Sequence, residues 1–262
     1  MTINTTKKLA ALALASAFVL TGCGKAPNAV SALRSQPSVP PAETPSYPGQ
    51  PPMAGGSPEN VAKAAQVIAA VAAAKPRTST WTSKAHSDVT APDGDRNWNV
   101  SQICFKAPNT MAAQVLTAKD DKTLKTKLVY KGGGDIDLKT YFFGFIAIKV
   151  NLAIDDSRLQ DAYHRTLRDT QTRQLMDMIL NPGAKATYLG KGKVYNQDVD
   201  FLDIVSPGSW KGITHEVVGI SPTMACPLSR ESFDSRGKRI FHLELENMRI
   251  NYKPAANDFT LD

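Results

Sequence analysis

From Thr80 onward apolar and polar residues alternate one for one over much of the chain, a period that fits half-buried antiparallel sheet and little else. Phe241, Leu243 and Leu245 alternate with His242, Glu244 and Glu246; Trp98 and Val100 alternate with Asn97, Asn99 and Ser101; Leu124, Thr126, Leu128 and Tyr130 alternate with Lys125, Lys127 and Lys131. Successive strand side chains point to opposite faces, so each run predicts one dry face and one wet face. Turn residues punctuate the runs at Ala91-Pro92-Asp93-Gly94, Lys119-Asp120-Asp121-Lys122, Gly132-Gly133-Gly134, Gly190-Lys191-Gly192 and Asp234-Ser235-Arg236-Gly237. Each supplies residues that tolerate positive φ or a tight reversal, and their recurrence predicts a meander of hairpins with about ten strands.

Two segments carry helix signals instead. Ser57-Pro58-Glu59 reads as a cap followed by proline at the first helical position; alanine-rich 60–74 follows, with Val61, Val67, Ile68 and Val71 as a thin apolar stripe, and Pro76 ends it. Thr170-Gln171-Thr172-Arg173 leads into Leu175, Met176, Ile179 and Leu180, and Asn181-Pro182-Gly183 stops that run. The expected architecture is mainly β within the α+β class: one large, strongly curved antiparallel sheet, a helix in front and a helix in the middle. Two short helices cover the dry face only if the sheet curls round them, and the interior is then either a packed core or a lipid-sized hollow.

The first 58 residues have a different composition. Lys7 and Lys8 precede an uncharged apolar run from Leu9 to Leu20, too short for a stable membrane span and ordered like an export signal. The ending Leu20-Thr21-Gly22-Cys23 resembles the lipobox of bacterial lipoproteins. That resemblance implies cleavage before Cys23, acylation of its thiol and a mature protein held to a membrane by two or three acyl chains, enough for lasting attachment. Gly24 follows, where an inner-membrane retention signal of enteric bacteria would show aspartate, so the analogy places the protein on the periplasmic face of the outer membrane. Residues 24–58 hold nine of the seventeen prolines, a composition that favours an extended tether over a fold. The expected division is a signal peptide over 1–22, a lipidated N-terminus and tether over 23–58, and a binding domain over 59–262.

Losing residues 1–22 removes two lysines and no acids, leaving 31 − 2 = 29 basic against 24 acidic residues, a net +5. No dense Lys/Arg cluster points to nucleic acid, and the excess suits solvated strand faces or anionic headgroups. Once Cys23 is acylated, Cys104 and Cys226 remain in a compartment that permits disulfides, and either pair or stay as two buried thiols.

The order of elements resembles the outer-membrane lipoprotein-sorting superfamily. Its carriers are the hairpin with Trp81 and Trp98, Phe105-Lys106-Ala107-Pro108-Asn109, Leu128-Val129-Tyr130, a central helix, Cys226-Pro227-Leu228, Glu231-Ser232-Phe233-Asp234-Ser235-Arg236-Gly237, Leu245-Glu246-Asn247-Met248-Arg249-Ile250-Asn251 and a closing Asp258-Phe259-Thr260-Leu261-Asp262. The likeness covers residues 59–262. It implies an unclosed β-barrel with helices as a lid, and binding of lipid or of the acyl part of lipoproteins in the apolar hollow, by a monomer with no cofactor, for transport or, on the same scaffold, for envelope stress sensing through a protein partner. The expected lining is Trp98, Val100, Val115, Leu128, Tyr130, Ile136, Leu138, Phe201, Phe241, Leu243 and Leu245, faced by Leu175, Met176 and Ile179 from the lid; for each, ordinary core packing is the alternative. The receptor-type member uses an exposed apolar loop, for which Tyr141-Phe142-Phe143-Gly144-Phe145 is a counterpart, or else a buried strand or a bend between strands.

Signals for catalysis are missing from the sequence. His86, His164, His215 and His242 are scattered, without the two-histidine spacing of a zinc helix. Asp155-Asp156 and Asp198, Asp200 and Asp203 lack a glycine-centred calcium loop and read as turns and a wet strand face. Gly190-Lys191-Gly192-Lys193 lacks the spacing of a phosphate loop, and no serine sits in a nucleophile elbow. Cys104, beside Phe105 on an expected strand, has no evident activating base. The chain reads as a binding protein, not an enzyme.

Overall fold

A computed structural model describes residues 56–261, except 121–122, 143–145, 162, 168–171 and 211. Cys23, the signal peptide, nearly all of the tether, and Thr170 and Gln171 of the second helix start lie outside the described residues.

Among the described residues there are eleven strands: β1 (Thr80–Thr90), β2 (Arg96–Lys106), β3 (Thr110–Ala118), β4 (Lys127–Lys131), β5 (Asp135–Phe142), β6 (Ile146–Ala153), β7 (Lys185–Val194), β8 (Gln197–Val205), β9 (His215–Ile220), β10 (Pro227–Phe233) and β11 (Arg239–Ile250). They form one antiparallel sheet in the order β6-β5-β4-β3-β2-β1-β11-β10-β9-β8-β7. The meander thus runs outward from β1 to the β6 edge, then restarts at the opposite edge and runs back to the centre, where β11 pairs with β1. The sheet curls without closing: β7 lies four strands from β11 in the ladder, about 19 Å away in a flat sheet, yet the two touch.

Helix α1 (Pro58–Ala74) starts where the cap signal placed it, with the Ser57 side chain accepting a hydrogen bond from the Asn60 amide at 3.2 Å. It packs on β7 through Ala64, Val67, Ile68 and Val71, an i, i+3, i+4, i+7 stripe, while Val61 is exposed. Alanine at the contact brings the helix close to the strand. Helix α2 (Thr172–Ile179) buries Leu175, Met176 and Ile179, and the Asn181 side chain accepts from the Gly183 amide just beyond its end.

The turns at Gly94, Gly132 and Gly237 fall between strands, each glycine at positive φ. Two readings need correction. Gly190-Lys191-Gly192 is not a turn but part of β7; Gly190 sits at a bulge opposite Phe201, and the reversal falls at Tyr195. On β9, a Cβ at Gly219 would lie 3.0 Å from the Phe201 ring, so glycine on both flanking strands leaves room for that phenyl group. The wet face of β11 is not wet: His242 and Glu244 are 3 % and 2 % exposed, and Asp203 on β8 is equally buried. These residues pair instead. Glu231 binds His242 and Arg239, and Asp203 binds His215 at 2.8 Å. Burial opposes the charge on His242, but its bonds to Glu231 and Glu244 outweigh that and raise its pKa; against desolvation, His242 and Arg239 hold Glu231 below its ordinary range.

Cys104 and Cys226 do not pair. Each is a buried free thiol, Cys104 beside Thr82 and Cys226 beside Thr78, and burial raises the Cys226 pKa. Tyr141 and Phe142 end β5 and Ile146 opens β6; Phe143, Gly144 and Phe145 of that run lie outside the described residues. No helix among the described residues is long and apolar enough to cross a membrane.

Candidate functional site

Passing from the β6 edge to the β7 edge takes the chain across one face of the sheet, and the described residues between 154 and 184 lie along that crossing. Two apolar cores form beneath it. One gathers Met111, Leu128, Tyr130, Ile136, Leu138 and Leu152 under Leu159 and Leu167 of the crossing segment. The other joins α1 and α2 to β7–β11, with Trp81, Ala85 and Phe105 from the centre. At their junction the packing is incomplete and leaves a cavity with about 60 Å³ of free space.

Register explains the lining. Ala85, Ser87 and Val89 of β1 stand opposite Leu245, Leu243 and Phe241 of β11 and opposite Ser101, Asn99 and Asn97 of β2. The covered face of these strands therefore carries Trp81, Ala85, Ser87 and Val89, then Asn99, Ser101 and Ile103, then Met111 and Ala113 of β3, and Phe241, Leu243 and Leu245. The roof is Asp161, Arg165, Thr166 and Thr172.

The roof is polar where the floor is greasy. Asp161 accepts from the backbone amides of Tyr163 and Arg165 at 2.8 and 3.0 Å through Oδ1, and from Arg165 Nε through Oδ2. Both side chains are 6 % exposed. The guanidinium lies 3.9 Å from the Trp210 ring centroid and 5.0 Å from that of Phe241. Burial lowers the Arg165 pKa and Asp161 opposes the shift. Arg230 of β10 also lies over the Trp210 ring, at 3.5 Å, and forms a two-bond pair with Glu216 of β9, through Nε to Oε2 and Nη2 to Oε1. Arg165 differs in one respect: its Nη1 and Nη2 are buried without a hydrogen-bond partner, and so is Oγ of Ser232, the register neighbour of Phe241 and Glu216. Tyr163 fastens the roof to the floor by donating its hydroxyl to the Thr90 carbonyl at 2.6 Å, and burial raises its pKa.

Of the residues expected to line a hollow, Phe241, Leu243 and Leu245 do so. Leu128, Tyr130, Ile136 and Leu138 sit in the first core, and Leu175, Met176, Ile179 and Phe201 in the second, where they pack with neighbours. Met176 also borders a second gap of about 10 Å³ beside Trp81, Phe105 and Cys226. Val115 packs with Ala118. Trp98 and Val100 occupy the opposite face of β2: the register puts them beside Asp88 and His86, and the polar Asn99 and Ser101 take the covered face. The alternation was right and its polarity inverted, because Asn99 and Ser101 satisfy each other at 2.9 Å and tolerate burial. Arg165, Asp161 and Trp210 escaped the sequence reading, since they lie in irregular connections where no period marks a face. Among the described residues no group of three His, Cys, Asp or Glu side chains is placed to hold a metal ion.

No protein-family model matches the sequence, and no curated protein matches it. Solved structures do. A putative outer membrane lipoprotein-sorting protein domain from Vibrio parahaemolyticus is 13 % identical with a TM-score of 0.39, over 75 % of this chain and 97 % of that one. LprF from Mycobacterium bovis is 13 % identical with a TM-score of 0.41, over 76 % and 96 %. The MucA/MucB complex of Pseudomonas aeruginosa aligns at 11 % identity and a TM-score of 0.44, over 76 % of this chain and 61 % of the other.

Proposed function

We propose that the protein is an envelope lipid-binding lipoprotein, tethered through Cys23, whose domain over 59–262 takes an acyl chain between the sheet and the segment that crosses it. The observation that supports this reading is the apolar cavity at the junction of the two cores, floored by Trp81, Ala85, Ile103, Leu243 and Leu245. A buried methylene contributes about 0.8 kcal/mol, so a chain in such a groove competes with a bilayer without any special residue. The cavity as it stands admits only a chain end, since ligand sites usually enclose about 300 Å³ or more. Loading a whole chain lifts the crossing segment, and the Tyr163–Thr90 hydrogen bond is the contact to break. Asp161 sits four residues from Arg165 on that segment, so the two charges travel together and lifting strands neither.

The test is lipid retained by the purified full chain, read by mass spectrometry after extraction. Ala85→Phe fills the floor and is expected to abolish retention with an unchanged circular dichroism spectrum. Leu243→Ala enlarges the cavity and is expected to keep it. Equal lipid in both variants would show that the chain binds elsewhere or not at all. The tether and its anchor are tested by Cys23→Ser, expected to release the protein from the outer-membrane fraction.

A further inference from the structure

The proposed site holds a group that an acyl chain alone does not use. Arg165 is almost fully buried over an apolar floor, yet Nη1 and Nη2 have no hydrogen-bond partner. Buried guanidinium N–H groups in native proteins are ordinarily satisfied, and an unpaired fork on a residue that lines a cavity calls for acceptor oxygens. The kind of acceptor follows from charge. Arg165 is already neutralised by Asp161, and Arg230, which also contacts Trp210, by Glu216. Both pairs are buried, so an added carboxylate or phosphate would leave one uncompensated negative charge out of water. A neutral carbonyl oxygen satisfies the fork and adds none. Ser232, fully buried with its Oγ unpartnered, is the register neighbour of the lining residue Phe241 and is a further neutral donor nearby.

We infer that the Arg165 fork receives the carbonyl of an ester-linked acyl group, so that the site selects acyl esters over free fatty acids and over plain hydrocarbon. The inference rests on the lipid-binding reading above and names its ligand: an acyl-glycerol type of ester, with the chain running over Ala85, Ile103, Leu243 and Leu245.

Affinities of the full chain for methyl laurate, laurate, dodecane and inorganic phosphate, followed by tryptophan fluorescence because Trp81 lines the cavity, separate the possibilities. Methyl laurate is expected to bind about tenfold more tightly than dodecane or laurate, the ratio that one hydrogen bond to a charged donor supplies. Arg165→Met should bring ester and alkane to equal affinity, and Arg165→Lys should keep part of the preference. Tighter binding of laurate than of its ester, or binding of phosphate alone, would overturn the inference in favour of an anion site. Equal binding of ester and alkane by the unmodified protein would also overturn it while leaving the lipid-binding reading intact. If no chain-bearing probe binds, both fall. The preference is measured on the unmodified protein, so the test stands even if the variants fold poorly.

Discussion

Two arginines contact the Trp210 ring, and they differ in what their surroundings ask of them. Arg230 joins neighbouring strands: it rises from β10 and is held by two bonds to Glu216 on β9, whose side chain is wholly buried. Arg165 belongs to the crossing segment, binds a carboxylate four residues away on that same segment through one nitrogen, and leaves the rest of its fork open. The first pair is a strut within the sheet. The second is a self-contained unit resting on the sheet through aromatic faces. Equal chemistry thus serves rigidity in one place and reception in the other, and the contrast lies in where the counter-charge is attached.

The largest effect should come from breaking the strut. Glu216→Ala leaves Arg230 buried without its counter-charge and is expected to cost about 3–5 kcal/mol in urea unfolding. Trp210→Leu removes the ring both guanidinium groups share and should cost about 2–3 kcal/mol, with the crossing segment becoming easier to cleave by protease than in the Glu216 variant. Arg165→Met should cost only about 1–2 kcal/mol, because Asp161 keeps two backbone donors. A loss equal to that of Glu216→Ala would erase the distinction between the two pairs.

The smallest expected effect is a control. Arginines stay charged through neutral pH, so dependence of stability on pH there must come from another cluster, and His242 is the candidate. Its folded pKa is raised above the ordinary 6.5, so its contribution is complete below about that value and is lost as pH rises through the higher folded value. Glu231 has the opposite sign: its pKa is depressed, and its contribution is lost as pH falls through the lowered value. The melting temperature should therefore drop as pH rises above 6.5, and His242→Gln should flatten that slope. An unchanged slope would mean that another group titrates.

Much of the scaffold could be read from local chemistry. Ser57 and Pro58 start a helix by satisfying one amide and lacking another, and Asp234 with Gly237 closes a hairpin through its own side chain. Such signals are complete within a few residues. The alternation of β11 located Phe241, Leu243 and Leu245 on the covered face for the same reason. What failed depended on distant neighbours. Gly190 and Gly192 look like a reversal until Phe201 and Val199 of the next strand are seen opposite them, and His242 and Glu244 look solvated until Glu231 and its partners are placed. The roof was out of reach for a further reason: Arg165 and Trp210 meet only because an edge-to-edge connection crosses the sheet, and nothing near either residue announces that route.

The central seam of the sheet also bears on how the domain is made. β1, near the start of the domain, finds its second neighbour only in β11, the last strand. A chain is synthesised from its N-terminus, so β1 to β6 can assemble early with the β1 flank bare, while β7 to β10 wait as a second slab. The final strand then slots between them like a keystone. A chain ending before Arg239 would consist of two slabs that share no ladder, so loss of the last few dozen residues should prevent assembly altogether, not merely trim an edge.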